Sequence, residues 1–121
     1  EISIAAGTRV AELRDGDITT YHITPEEFGV PRQGLDGLAV DGAAASAALI
    51  RAALGGAGDE RSARAAAMLA LNAGATIYTS GVATTLADGV AMAEDLLASG
   101  QAAAKLEEFV AFTQMMRGAG N

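Results

Sequence analysis

The sequence predicts an α/β fold in which a β-hairpin is followed by about four helices packing on a sheet. Three observations carry this reading. Asp15-Gly16 separates two β-rich runs, and that pair suits a type I′ turn, where both central residues take positive φ. From residue 41 onward the apolar residues recur at helical spacing, punctuated by Gly55-Gly56 and Ser99-Gly100. Ala65 to Ala87 carries no charge, but Asn72, Gly74, Thr76, Thr79, Ser80, Gly81, Thr84 and Thr85 interrupt it, so it reads as a helix buried in protein rather than in lipid.

The 121 residues suit one domain. Within it we expect a hairpin region over 1–40, a helical region over 41–117 and a frayed tail over 118–121. Half of the residues are apolar, yet 29 are alanine, so the core is expected to be thin and to rely on close-packed helices or a partner surface. The formal charge of −7, with the acids scattered, argues against nucleic acid as a partner. Absence of Cys excludes disulfides and thiolate metal sites, and the single His excludes multi-His zinc centres. No basic segment followed by an apolar one opens the chain, so nothing supports secretion and the cytoplasm is the expected location; no membrane partner is expected.

Taken in order, Glu1-Ile2-Ser3-Ile4 opens without Met or a polar lead-in, as though entering mid-strand, and looks like the start of a cut piece. Thr8 to Arg14 and Ile18 to Ile23 form the hairpin. A two-residue loop then sets Arg14 against Asp17, Leu13 against Ile18, Glu12 against Thr19 and Val10 against Tyr21, with an ion pair at the tip and neither face cleanly apolar. Thr24-Pro25-Glu26-Glu27 reads as a capping box with Pro at the first helical position, opening a short helix stopped by Gly29. Val30 to Val40, with Pro31, Gly34 and Gly37, reads as a loop.

Asp41 is the candidate cap of the first long helix, whose stripe is Leu49, Ile50, Ala53 and Leu54. Asp59 or Ser62 starts the next. There Met68, Leu71, Ala75 and Tyr78 share one face while Ala66, Ala70, Ala73 and Ile77 cover the other, so the helix is expected to be buried on both sides. Thr85 with Asp88 opens the third, with Leu86, Val90, Ala93 and Leu97 inward and Glu94 and Asp95 outward. The fourth carries Leu106, Phe109, Val110 and Thr113 and frays from Arg117 to Gly120.

Few residues suggest chemistry. Gly55-Gly56-Ala57-Gly58-Asp59 lies between helices and lacks the Lys-Ser/Thr of a phosphate loop, so it reads as punctuation. His22 has no Ser or Cys nucleophile near it and reads as a solvated strand histidine. Asn72 reads as a hydrogen-bond staple between elements, and Lys105 with Glu108 as a surface pair. Glu12, Asp15 and Asp17 form an acidic cluster at the hairpin tip that reads as solvated rather than metal-binding. Glu1 differs, because a carboxylate at a strand end could hold Mg²⁺ on a phosphate substrate. The residues alone carry no complete active site.

Resemblance goes further. EISI at the start, GTRVAEL over 7–13, YHITPEEFG over 21–29, LNAGATIY over 71–78, LADGVAMAEDLLASG over 86–100 and KLEEFVAFTQ over 105–114 keep a common order and spacing. Together they resemble the C-terminal part of anthranilate phosphoribosyltransferase across nearly the whole chain. Related pyrimidine nucleoside phosphorylases share the fold but not this combination. The resemblance implies the C-terminal portion of the larger α/β domain, without the N-terminal helical domain and part of the sheet. It implies a homodimeric enzyme of tryptophan biosynthesis that joins anthranilate to phosphoribosyl pyrophosphate, releasing pyrophosphate with the help of Mg²⁺. The family's Gly-Thr-Gly-Gly-Asp phosphate loop, its Lys- and Asn-bearing loop and its anthranilate-contacting Asn and Arg would all precede Glu1. No catalytic or substrate-binding residue therefore carries over. Glu1 alone matches a functional position, the second member of an Asp-Glu metal pair. The different class that composition leaves open is a noncatalytic, acidic helical interaction module.

Overall fold

The structure, a computed structural model, describes residues 1–120; Asn121, the end of the expected tail, lies outside the described residues. Strands β1 (Thr8–Arg14) and β2 (Asp17–Ile23) pair antiparallel in the expected register, from Arg14 opposite Asp17 to Thr8 opposite Ile23. Asp15 and Gly16 take φ of 52° and 87°, the two positive values that a type I′ loop requires. The ion pair expected across the tip does not form. Arg14 instead meets Glu12 at 3.5 Å, because residues two apart on a strand share a face and this face is turned toward the helices.

Thr24 and Glu27 form the expected capping box around a 3₁₀ turn, Pro25–Phe28, which ends at Gly29 in the left-handed region. Four helices follow: α1 (Ala43–Leu54), α2 (Glu60–Thr79), α3 (Leu86–Ala98) and α4 (Gln101–Ala119). Thr85 is the cap the sequence suggested for α3, and of Asp59 and Ser62, both left open as the start of α2, the cap is Asp59. Asp59 accepts from the Ser62 amide at 2.9 Å and Thr85 from the Asp88 amide at 3.0 Å. Asp41 is not a cap: α1 starts one residue later than it could serve, from Gly42 at φ 119°. The tail expected to fray from Arg117 stays helical through Ala119.

The expected opening strand is absent. Residues 1–7 bend without strand pairing, since the two-stranded sheet contains only β1 and β2. The segment is nonetheless in the core. Ile4 is wholly buried and packs with Val30, Leu71 and Val90, flanked by Ile2, Phe28, Leu38, Ala67 and Met68. Burying such side chains contributes roughly 2 kcal/mol each, so four large ones make a small core.

Helix α2 is central as expected, with Ala70 and Leu71 buried on different sides, although Ala73 is exposed and Ile77 only half-buried. It crosses α3 at two glycines. A Cβ built on Gly89 would lie 2.3 Å from the Gly74 carbonyl oxygen, and one on Gly74 would lie 2.6 Å from the Val90 main chain. The backbones themselves are in contact there, which is how an alanine-rich chain reaches close packing. Helix α4 is peripheral. Of the residues the sequence placed on it, Leu106 and Val110 are half-buried, whereas Phe109 and Thr113 are exposed. Arg51 of α1 holds this helix through Glu107 at 3.0 Å.

Candidate functional site

Between the hairpin and α2 lies an open cleft of about 980 Å³, lined among others by Glu1, Arg9, Glu12, Arg14, Asn72 and Tyr78. Its floor is α2, whose C-terminal half presents Asn72, Thr76 and Tyr78 toward the hairpin. Its wall is the inward face of β1, where alternation places Thr8, Val10 and Glu12.

Asn72 is the staple that the sequence suggested. Its Oδ1 accepts from the Ile2 amide at 2.8 Å, and its Nδ2 donates to the Ile2 carbonyl at 2.9 Å and to the Met68 carbonyl at 2.9 Å. One side chain thus satisfies both main-chain groups of a residue that has no strand partner. Ser3 donates its amide to the Thr8 hydroxyl at 3.2 Å, and Gln33 donates its amide to the Ile4 carbonyl at 3.0 Å. These bonds hold the backbone that follows Glu1.

At the other end of the cleft Glu12 joins hairpin to helix. Tyr21 donates to its Oε2 at 2.8 Å, and Tyr78 donates to its Oε1 at 2.5 Å. Arg14 donates to the Tyr78 hydroxyl at 2.7 Å and lies 5.4 Å from that ring's centre. The Tyr78 hydrogen bond, then the Tyr21 one, hold the Glu12 carboxyl below its usual range, with Arg14 adding attraction. Desolvation, and then the hydrogen bond to Glu12, push the Tyr21 phenol up to about 12. Tyr78 rises too, first through the same carboxylate.

The sequence did not single out this group. Its strand half was readable, because the register makes Glu12 and Tyr21 diagonal neighbours on one face. Tyr78 is 66 residues away from Glu12 and no local signal links them. Of the acidic residues at the tip, Asp15 and Asp17 are exposed, as the solvated reading expects, whereas Glu12 is half-buried and taken by the two phenols. His22 is exposed on β2 and Lys105 pairs with Glu108 on the surface of α4, both as expected.

Glu1 is exposed at the mouth of the cleft, and among the described residues no ion pair engages its carboxylate. One hard oxygen donor on a held backbone fits a Mg²⁺ ion that takes most of its ligands from water and substrate phosphates. It does not make a site alone.

Among the described residues no helix is long and apolar enough to cross a membrane. Residues 1–103 match the glycosyl transferase family, a/b domain. The chain is 54% identical over 114 residues to anthranilate phosphoribosyltransferase of Marinobacter nauticus, covering 94% of this chain and 33% of the relative. It is 55% identical over 117 residues to the enzyme of the same name from Stutzerimonas stutzeri, covering 97% of this chain and 34% of the relative. The Pseudomonas fluorescens enzyme of that name is 50% identical over 117 residues, again 34% of its length. The chain spans about a third of the length of these curated relatives. On the match over residues 1–103 it belongs to the glycosyl transferase family, through the a/b domain.

Proposed function

We propose that this chain is the C-terminal third of an anthranilate phosphoribosyltransferase, which transfers the phosphoribosyl group of phosphoribosyl pyrophosphate to anthranilate and releases pyrophosphate. The observation that carries the reading is identity of 50–55% over nearly the whole chain to enzymes of that name. In that reaction the ribosyl carbon gains positive charge as the pyrophosphate departs, so the work is positioning and charge neutralisation. Magnesium, when bound, would neutralise charge on the diphosphate. Glu1 is the residue here that would supply it with a carboxylate oxygen. The remaining ligands, the phosphate-binding loop and the anthranilate contacts belong to the other two-thirds of the enzyme. A homodimer in the cytoplasm is the assembly and location that go with this reading.

The cleft supports the reading through its construction. Asn72 ties the opening segment to α2 and Tyr78 ties Glu12 to it, so that of the two glutamates lining the cleft Glu1 is the one without an ion pair or hydrogen bond among the described residues. Because the phosphate-binding loop and the anthranilate contacts lie in the other two-thirds on this reading, the chain alone should be inactive. The test follows the loss of anthranilate fluorescence in the presence of phosphoribosyl pyrophosphate and Mg²⁺. We expect no turnover from the 121-residue chain and turnover from the full-length protein. Conversion by the short chain alone, or an inactive but folded full-length protein, would contradict the proposal.

A further inference from the structure

We propose that Asn72 is a positioning residue for Glu1, fixing where its carboxylate meets the divalent cation through the main chain of Ile2. The inference rests on the cation reading given above and extends it to a residue on a different element. Asn72 lies on α2, 70 residues from the segment it holds. Its amide accepts from the Ile2 N–H and donates to the Ile2 carbonyl, at 2.8 and 2.9 Å, as a neighbouring strand would. The additional bond from Nδ2 to the Met68 carbonyl at 2.9 Å fixes the orientation of the amide plane on its own helix.

The peptide that follows Glu1 is thereby referenced to the most central helix of the fold. A second anchor lies two residues further on, where Ile4 is wholly buried and its carbonyl accepts from Gln33. Between these anchors the backbone has little room to shift, so the freedom left to Glu1 is its own torsions. A carboxylate held in this way loses less entropy on meeting a cation than one on a loose segment.

The residue type is specific to the task. An amide of this length can donate and accept at once, whereas Asp in its place would set a carboxylate against two carbonyl oxygens. Leu would leave both Ile2 groups without their partner. Residues that orient a metal ligand from outside the coordination shell typically change metal affinity by 10- to 100-fold when lost.

The test uses the full-length protein, with Mn²⁺ as the probe ion, phosphoribosyl pyrophosphate present and anthranilate omitted, so that no turnover is needed. Mn²⁺ affinity is read by electron paramagnetic resonance, and exchange of the Ile2 amide proton by hydrogen–deuterium exchange. We expect Asn72→Ala to speed Ile2 exchange and weaken Mn²⁺ about tenfold, with Glu1→Gln weakening it at least as much and the double variant no further. If Asn72→Ala does not fold, Asn72→Ser, which is too short to bridge both Ile2 groups, is read in the same way. Faster Ile2 exchange with unchanged Mn²⁺ affinity, alongside a weakened Glu1→Gln, would overturn the positioning role and leave the cation reading standing. Unchanged affinity in Glu1→Gln would overturn the cation reading itself.

Discussion

Gly89 illustrates how much a single hydrogen in place of a methyl decides in this chain. Its missing Cβ would meet the Gly74 carbonyl oxygen at 2.3 Å, and that oxygen belongs to a helix backbone that cannot rotate aside. Alanine is the better helix former by about 1 kcal/mol, but overpacking against main chain outweighs it. We expect Gly89→Ala to destabilise by about 3 kcal/mol in urea unfolding, whereas Gly118→Ala, with open space around it, should be neutral or mildly stabilising. Glycines inside two helical patterns were visible in the sequence. That they face each other was not, because helix register across a crossing is set by tertiary packing.

The Glu12 group carries a pH signature at the same scale. Tyr21 keeps its proton in the native state to about 12, against about 10 in an unfolded chain. Its contribution to stability is therefore complete below pH ~10 and is lost as the pH rises through that window. Glu12 works in the opposite sense: its lowered pKa contributes above the ordinary carboxylate range and fades as the pH falls through it. In a Tyr78→Phe variant only one tyrosine remains, and absorbance at alkaline pH should report it alone. We expect that phenol to titrate well above 10, and to move down toward 10, without reaching it, when Glu12→Gln is added, because desolvation remains.

Among the elements, those with a local chemical signature were legible. The hairpin register followed from Asp15-Gly16, the start of α3 from Thr85, and that of α2 was narrowed to Asp59 or Ser62, because turn and cap chemistry is decided by two or three adjacent residues. The opening segment was misread as a strand because Ile-Ser-Ile has strand composition, while pairing depends on a neighbour that no local pattern reveals. Asn72 was recognised as a staple by its residue type in an uncharged helix, but its partner was not. Two predictions belong here. Thr24→Ala should cost about 1 kcal/mol, and little more once Glu27→Ala has removed the other half of the box; additive losses in the double-mutant cycle would count against it. Leu71→Asp should unfold the domain, since it places a charge at a wholly buried position of α2, whereas Glu94→Lys on the exposed face of α3 should barely move a circular dichroism melt.

For the molecule as a whole, fold and candidate site meet in one design. A small core of Ile4, Val30, Leu71 and Val90 draws the opening segment against α2 and α3. The same segment, tied by Asn72, ends in the carboxylate that the functional reading needs. Exposed Phe109, Phe112, Met115 and Met116 on α4 leave apolar surface beyond what this core uses. The site was only partly legible because one carboxylate carries no spacing pattern: Glu1 gained meaning from resemblance, and its surroundings from contacts across 70 residues of sequence. The most direct measurement is the Mg²⁺ dependence of anthranilate consumption by the full-length protein, compared with its Glu1→Ala variant. The account predicts a matched thermal melt, with turnover of the variant lowered and its half-saturating Mg²⁺ raised about tenfold or more. An unchanged rate with an unchanged Mg²⁺ dependence would contradict it.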